Sequence, residues 1–190
     1  MRKITSKKEG EKKDRKKQLI VGLVLISIML VSTAGYSFSR FASKNSGEME
    51  YNGFKFVKQN GFWNTEINGL SFSFTYSPKE IDVNSNAFLN LGLSNYNSLP
   101  LYVQSEDINS EYEIYRNLDS VILRRQYACL EGEKCDENFP IKTCDDNFII
   151  IKESNSSQIR LDKNCVFIEG TKEELVKITD GFLFKILGIQ

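Results

Sequence analysis

YNGFKFVKQNGFWNTEINGLSFSFTYSP, residues 51–78, is the stretch whose reading decides the fold. Phe54 and Phe56 share one face of an extended chain, with Lys55 opposite. Asn60-Gly61 follows, then Trp63, Thr65 and Ile67 on one face, then Asn68-Gly69. Leu70, Phe72, Phe74 and Tyr76 alternate with Ser71, Ser73 and Thr75. An Asn-Gly pair between alternating runs is a strong hairpin signal, because both central residues of a type I′ turn need positive φ. Two such turns predict a three-stranded β-meander, aromatic face inward and serine/threonine face outward. Pro78 ends it.

C-terminal to the meander, residues 82–100 are rich in asparagine and serine, with one short strand expected near Phe88–Leu93. Leu101–Gln104 reads as another strand. Ser110-Glu111-Tyr112-Glu113 fits a capping box, so a helix is expected from Ser110. Its apolar stripe is Ile114, Leu118, Val121 and Ile122, Arg124 and Arg125 suit its C-terminal end, and it should stop before Gly132. Phe148–Ile151 reads as a buried strand, Ser154–Ser157 as a turn, and Ile159–Leu161 and Cys165–Ile168 as further strands. A second capping box, Thr171 to Glu174, opens a last helix carrying Leu175, Ile178, Phe182 and Ile186 on one face. The order predicts an α+β domain with an antiparallel-rich sheet and two helices packed on one of its faces.

N-terminal to the meander, residues 39–50 are polar and read as a linker. Residues 19–38, LIVGLVLISIMLVSTAGYSF, contain no charge. Twenty such residues are long enough to cross a bilayer as a helix, so one N-terminal transmembrane helix is expected. Residues 1–17 hold nine basic and three acidic side chains, leaving sixteen basic and twenty-two acidic of the 25 of each. The positive flank then predicts a signal-anchor of a single-pass protein of the cell membrane. Its basic tail, residues 1–18, would be cytoplasmic and lie on anionic lipid rather than on nucleic acid, and residues 51–190 would be extracytoplasmic. A cleavable signal peptide, with a small-x-small site at Ser32-Thr33-Ala34, is the rival reading.

Cys129, Cys135, Cys144 and Cys165 are the four cysteines. In an oxidising compartment an even set predicts disulfides. Of the three pairings, Cys129–Cys135 with Cys144–Cys165 is preferred. The first closes the short loop CLEGEKC, and the second joins the two ends of a hairpin reversed at 154–157. Gaps of five, eight and 20 residues do not suit a structural zinc site, and there is no Cys-x-x-Cys redox pair.

The chain has no histidine, which excludes Ser-His-Asp and Cys-His catalysis and histidine metal sites. No Gly-rich nucleotide loop is present. No catalytic residue, metal site or cofactor is expected. Asp145-Asp146 reads as a solvated turn, since neighbouring side chains of an extended chain diverge. Glu131, Glu133, Asp136 and Glu137 form an acidic loop without the oxygen spacing of a calcium site. Asn155-Ser156-Ser157 is an N-glycosylation sequon in an expected turn. The last helix is apolar around much of its circumference. A central core helix is the simpler reading, and a partner or self-association surface through Phe182, Phe184 and Leu187 is the functional one.

The stretch CLEGEKCDENFPIKTC (129–144), with the NCVFIEG (164–170), helix and LGI (187–189) ending, resembles a group of small archaeal membrane-anchored proteins with a cysteine-containing extracytoplasmic domain. The resemblance implies single-span anchoring, attaches no activity and carries over no catalytic residue. The function expected is a binding or structural module of the cell envelope, not an enzyme. An accessory subunit of an envelope or secretion complex is the alternative, and a carboxylate-based hydrolase is a third.

Overall fold

The structure, a computed structural model, describes residues 17–30, 47–81, 91–135 and 138–190. The chain forms two units, Met1–Ser46 and Gly47–Gln190. In the first, helix α1 covers residues 17–30, and Ser27 Oγ donates back to the Leu23 carbonyl at 2.9 Å. The membrane helix expected over 19–38 is not found among the described residues. Among the described residues no helix is long and apolar enough to cross a membrane. Residues 31–38 of that stretch, and residues 1–16 of the basic tail, lie outside the described residues. The single-pass, signal-anchor and cell-membrane readings, and the sidedness drawn from them, fall with the span.

The second unit begins with four antiparallel strands in sequence order: β1 (Glu48–Tyr51), β2 (Phe54–Gln59), β3 (Phe62–Ile67) and β4 (Leu70–Phe74). Each joins the next through an Asn-Gly turn with both residues at positive φ. Asn52-Gly53 is the third such turn; the strand read over 51–58 runs through it, and β1 lies in the stretch expected to be linker. Phe56, Phe72 and Phe74 are fully buried on one face. The outward face is less idle than alternation suggests, since the Ser73 hydroxyl donates to Asn64 Oδ1.

A five-stranded mixed sheet follows. In chain order its strands are β5 (Pro100–Ser105), β6 (Arg124–Tyr127), β9 (Phe148–Glu153), β10 (Gln158–Asp162) and β11 (Cys165–Gly170). Two-residue strands β7 (Cys129–Leu130) and β8 (Ile141–Lys142) pair separately. The spatial order is β10-β11-β9-β5-β6. Only β10–β11 is antiparallel; β11–β9, β9–β5 and β5–β6 are parallel. The expected antiparallel-rich sheet is therefore only the meander. Ile149, Ile151, Val166 and Ile168 point to one face and Phe148, Ile150, Cys165 and Phe167 to the other, so β9 and β11 are apolar on both faces, as central parallel strands are.

Helix α2 (Ile108–Leu118) crosses from β5 to β6, and α3 (Leu175–Ile186) follows β11. The helices do not cover one face of a single sheet. They lie between the meander and the mixed sheet, α2 against β4 and β5, and α3 against β11. Phe184 meets Phe74 at 4.4 Å and Phe56 at 6.0 Å between ring centroids, joining α3 to the meander. Phe182 and Phe184 are fully buried and Leu187 is 8 % exposed, so the surface proposed for them is interior. Gly170, where β11 ends, lets α3 pack close: a Cβ there would lie 2.3 Å from Ile178 Cδ1, so that side chain would have to shift.

Helix α2 starts earlier and stops sooner than its sequence pattern implies. Asp107 is the N-cap, its carboxylate accepting the Ser110 N–H at 2.7 Å. Asp119 ends the helix, and Arg124 and Arg125 belong to β6.

Both disulfides sit on or beside the mixed-sheet face away from the helices. Cys129 is bonded to Cys135 and Cys144 to Cys165, with Cα separations of 5.8 and 4.8 Å. Cys144 and Cys165 do not lie at the two ends of a hairpin. β9 and β10 do not pair; β11 lies between them. Cys165 is level with Phe148 in a parallel ladder, and Asn164 donates its N–H to the Cys144 carbonyl at 3.0 Å. Two parallel strand starts lie side by side, and that brings the sulfurs together.

Candidate functional site

An open cavity of about 770 Å³ lies against the outer stripe of α2. Asn109, Tyr112, Glu113 and Arg116 line it at i, i+3, i+4 and i+7, one face of a helix. Phe62 from β3 and Thr75 and Tyr76 beyond β4 form one wall. Asp119 and Arg125 extend the α2 side, and Lys172 and Glu173 from the turn before α3, with Val176 from its first turn, complete the lining.

The cationic groups are held by rings and acids. The Arg116 guanidinium lies 4.1 Å from the Phe62 ring centre and donates to Glu113. Arg125 lies 4.2 Å from the Tyr115 ring centre and pairs with Asp119 at 3.2 Å. Tyr112 is 60 % exposed, which leaves an aromatic face open to the groove.

Beneath the groove is a buried polar junction that ties the free edge of β4 to both helices. Asn117, 1 % exposed, accepts the Ser73 N–H at 2.8 Å and donates to the Ser73 carbonyl at 2.8 Å. A side-chain amide thus replaces a neighbouring strand, which is one way to blunt a sheet edge. Arg116 Nε adds a bond to the same carbonyl at 3.1 Å. Further along, the Tyr76 N–H donates to Asp180 Oδ2 at 2.8 Å. Glu113 accepts from the Thr75 hydroxyl and from Arg116. Burial, and next the charge of Glu113, push the Asp180 carboxyl well above the usual aspartate range. On the adjoining side of α2, buried Glu111 accepts from the Tyr127 hydroxyl. That bond raises the Tyr127 phenol, while burial, then Glu111, raises the Tyr115 phenol.

The residues singled out in the sequence lie elsewhere. Asp145 pairs with Lys163 at 2.9 Å and Asp146 with Lys142 at 3.4 Å, so the adjacent acids part to different lysines. Glu133 binds Lys152 and Gln104; the Lys152 bond is the main reason its carboxyl lies below the ordinary range. Asp136 and Glu137 lie outside the described residues. Asn155 is exposed in the turn before β10. The sequence reads Glu113 only as a capping residue and does not single out Asn117 or Asp180. Asp180 had a legible signal, an acid inside the apolar run LVKITDGFLFKI (175–186).

Fold and groove together define a disulfide-stapled α+β domain, with a mixed-charge aromatic groove over a buried acidic junction. No family model, no curated protein and no solved structure matches the chain.

Proposed function

We propose that residues 47–190 form a binding module that takes a peptide segment of a partner protein into the groove on α2. The observation that carries this reading is the groove lining: tyrosines and arginines with charges of both signs. Tyrosine and arginine are enriched at protein interfaces, and a lining of balanced sign suits a peptide better than a polyanion. Binding is favoured over carboxylate hydrolysis because two of the three acids lining the groove are already engaged, Glu113 by Thr75 and Arg116, and Asp119 by Arg125. Four cysteines joined in two disulfides support an oxidising compartment.

The test is a panel of short synthetic peptides screened against the full chain by NMR. Binding peptides should shift resonances at Tyr112, Arg125 and Lys172. Tyr112→Ala should then weaken the best peptide about tenfold, as an interface anchor does. Shifts that avoid α2, or affinity unchanged in Tyr112→Ala, would refute the reading.

A further inference from the structure

We propose that Glu113 and Asp180 hold one proton between them, and that this buried acid pair is a pH-responsive latch joining α2, α3 and the end of β4. Asp180 is 0 % exposed and Glu113 3 %. Oδ2 of Asp180 has its donor, the Tyr76 N–H, but Oδ1 is equally enclosed and has none. A buried anionic oxygen without a donor is among the costliest arrangements a fold can hold. Protonation removes the difficulty, because Asp180 then donates to the Glu113 carboxylate beside it. Glu113 is placed as the acceptor, since the Thr75 hydroxyl and the Arg116 guanidinium both donate to it.

Among the described residues, α2 brings Glu113 and Arg116 to this site, the segment just beyond β4 brings the Thr75 hydroxyl and the Tyr76 amide, and α3 brings Asp180 itself. Burial and Glu113 raise the Asp180 carboxyl; the Tyr76 N–H and Arg116 oppose them and lose.

The linkage has one sign. Above the ordinary aspartate range the unfolded chain has released this proton and the folded chain keeps it. The stabilisation is therefore complete below that range and is lost as pH rises toward the raised value. Within that window each pH unit raises the unfolding equilibrium constant about tenfold through this site. Thr75, Tyr76, Glu113 and Arg116 also line the groove, so loss of the proton would place a second negative charge directly under it. The latch itself needs no ligand there.

The experiment follows urea unfolding of the full chain from mildly acid to mildly alkaline pH, in wild type and Asp180→Asn. Asparagine keeps the Tyr76 bond and offers an N–H to Glu113 without a charge. The wild-type unfolding constant should rise about tenfold per unit relative to the variant. The carboxyl-carbon NMR shift of Asp180 in the wild type decides the matter even if the variant fails to fold. It should read protonated where ordinary aspartates read ionised. Parallel pH profiles, or an ionised Asp180 at mildly acid pH, would overturn the proposal.

Discussion

Replacing Asn117 by alanine removes the side chain that stands in for a missing strand beside β4. Three bonds go with it: to the Ser73 N–H, to the Ser73 carbonyl and to the Glu113 carbonyl at 2.9 Å. The Ser73 carbonyl keeps Arg116 Nε, but the Ser73 N–H loses its partner. One stranded donor costs about 1–3 kcal/mol and each net hydrogen bond about 1 kcal/mol. The bonds are coupled and the terms overlap, so a loss of about 2–4 kcal/mol is expected. Urea unfolding by linear extrapolation measures it, with the slope m unchanged because the same surface is exposed. Amide exchange at Ser73 should accelerate in the same variant. Asn147→Ala is the control, since Asn147 makes one exposed bond to the Asn95 carbonyl at 3.2 Å. If Asn117→Ala costs no more than this control, the edge of β4 is not held as described.

Phe74→Ala should cost about 3–5 kcal/mol, because the ring is fully buried and touches Phe184 in α3; the exposed Ser71→Ala should change stability by less than about 0.5 kcal/mol. Similar small losses in both would mean that the meander does not pack on α3. Removing the Cys144–Cys165 bridge as a double serine variant should cost about 3 kcal/mol by loop-closure entropy, against about 2 kcal/mol for Cys129–Cys135, from sequence separations of 21 and 6. The reverse order, measured by the same unfolding assay, would show that entropy of the open chain does not govern these bridges.

Local signals were legible and non-local ones were not. Asn60-Gly61 and Asn68-Gly69 announce their turns because type I′ geometry is a property of two residues. Asn52-Gly53 carries the same signal, but β1 is too short and too polar for alternation to frame it. β6, RRQY, lacks a buried face, so nothing in its own residues marks a strand; it exists because β5 offers it backbone partners. Parallel pairing of β5, β9 and β11 depends on crossovers that periodicity does not encode. The apolar run at 19–38 shows the limit from another side: composition suggests a span, yet among the described residues no helix is long and apolar enough to cross a membrane. The junction under the groove draws on Ser73, Glu113, Asn117 and Asp180, up to about a hundred residues apart, and only the fold makes them neighbours.

The sandwiching of the helices has a kinetic consequence. The meander closes through two-residue turns, so its pairing can form in microseconds once the strands are made. Its ring face, Phe56, Phe72 and Phe74, then waits for Phe184, which follows every strand in chain order. On a ribosome adding about 5–20 residues per second, more than a hundred residues separate Phe74 from Phe184, an interval of several seconds or longer. Until then a meander that has paired lacks the Phe184 ring that covers Phe56 and Phe74, and part of its aromatic face is the kind of surface that holding chaperones recognise.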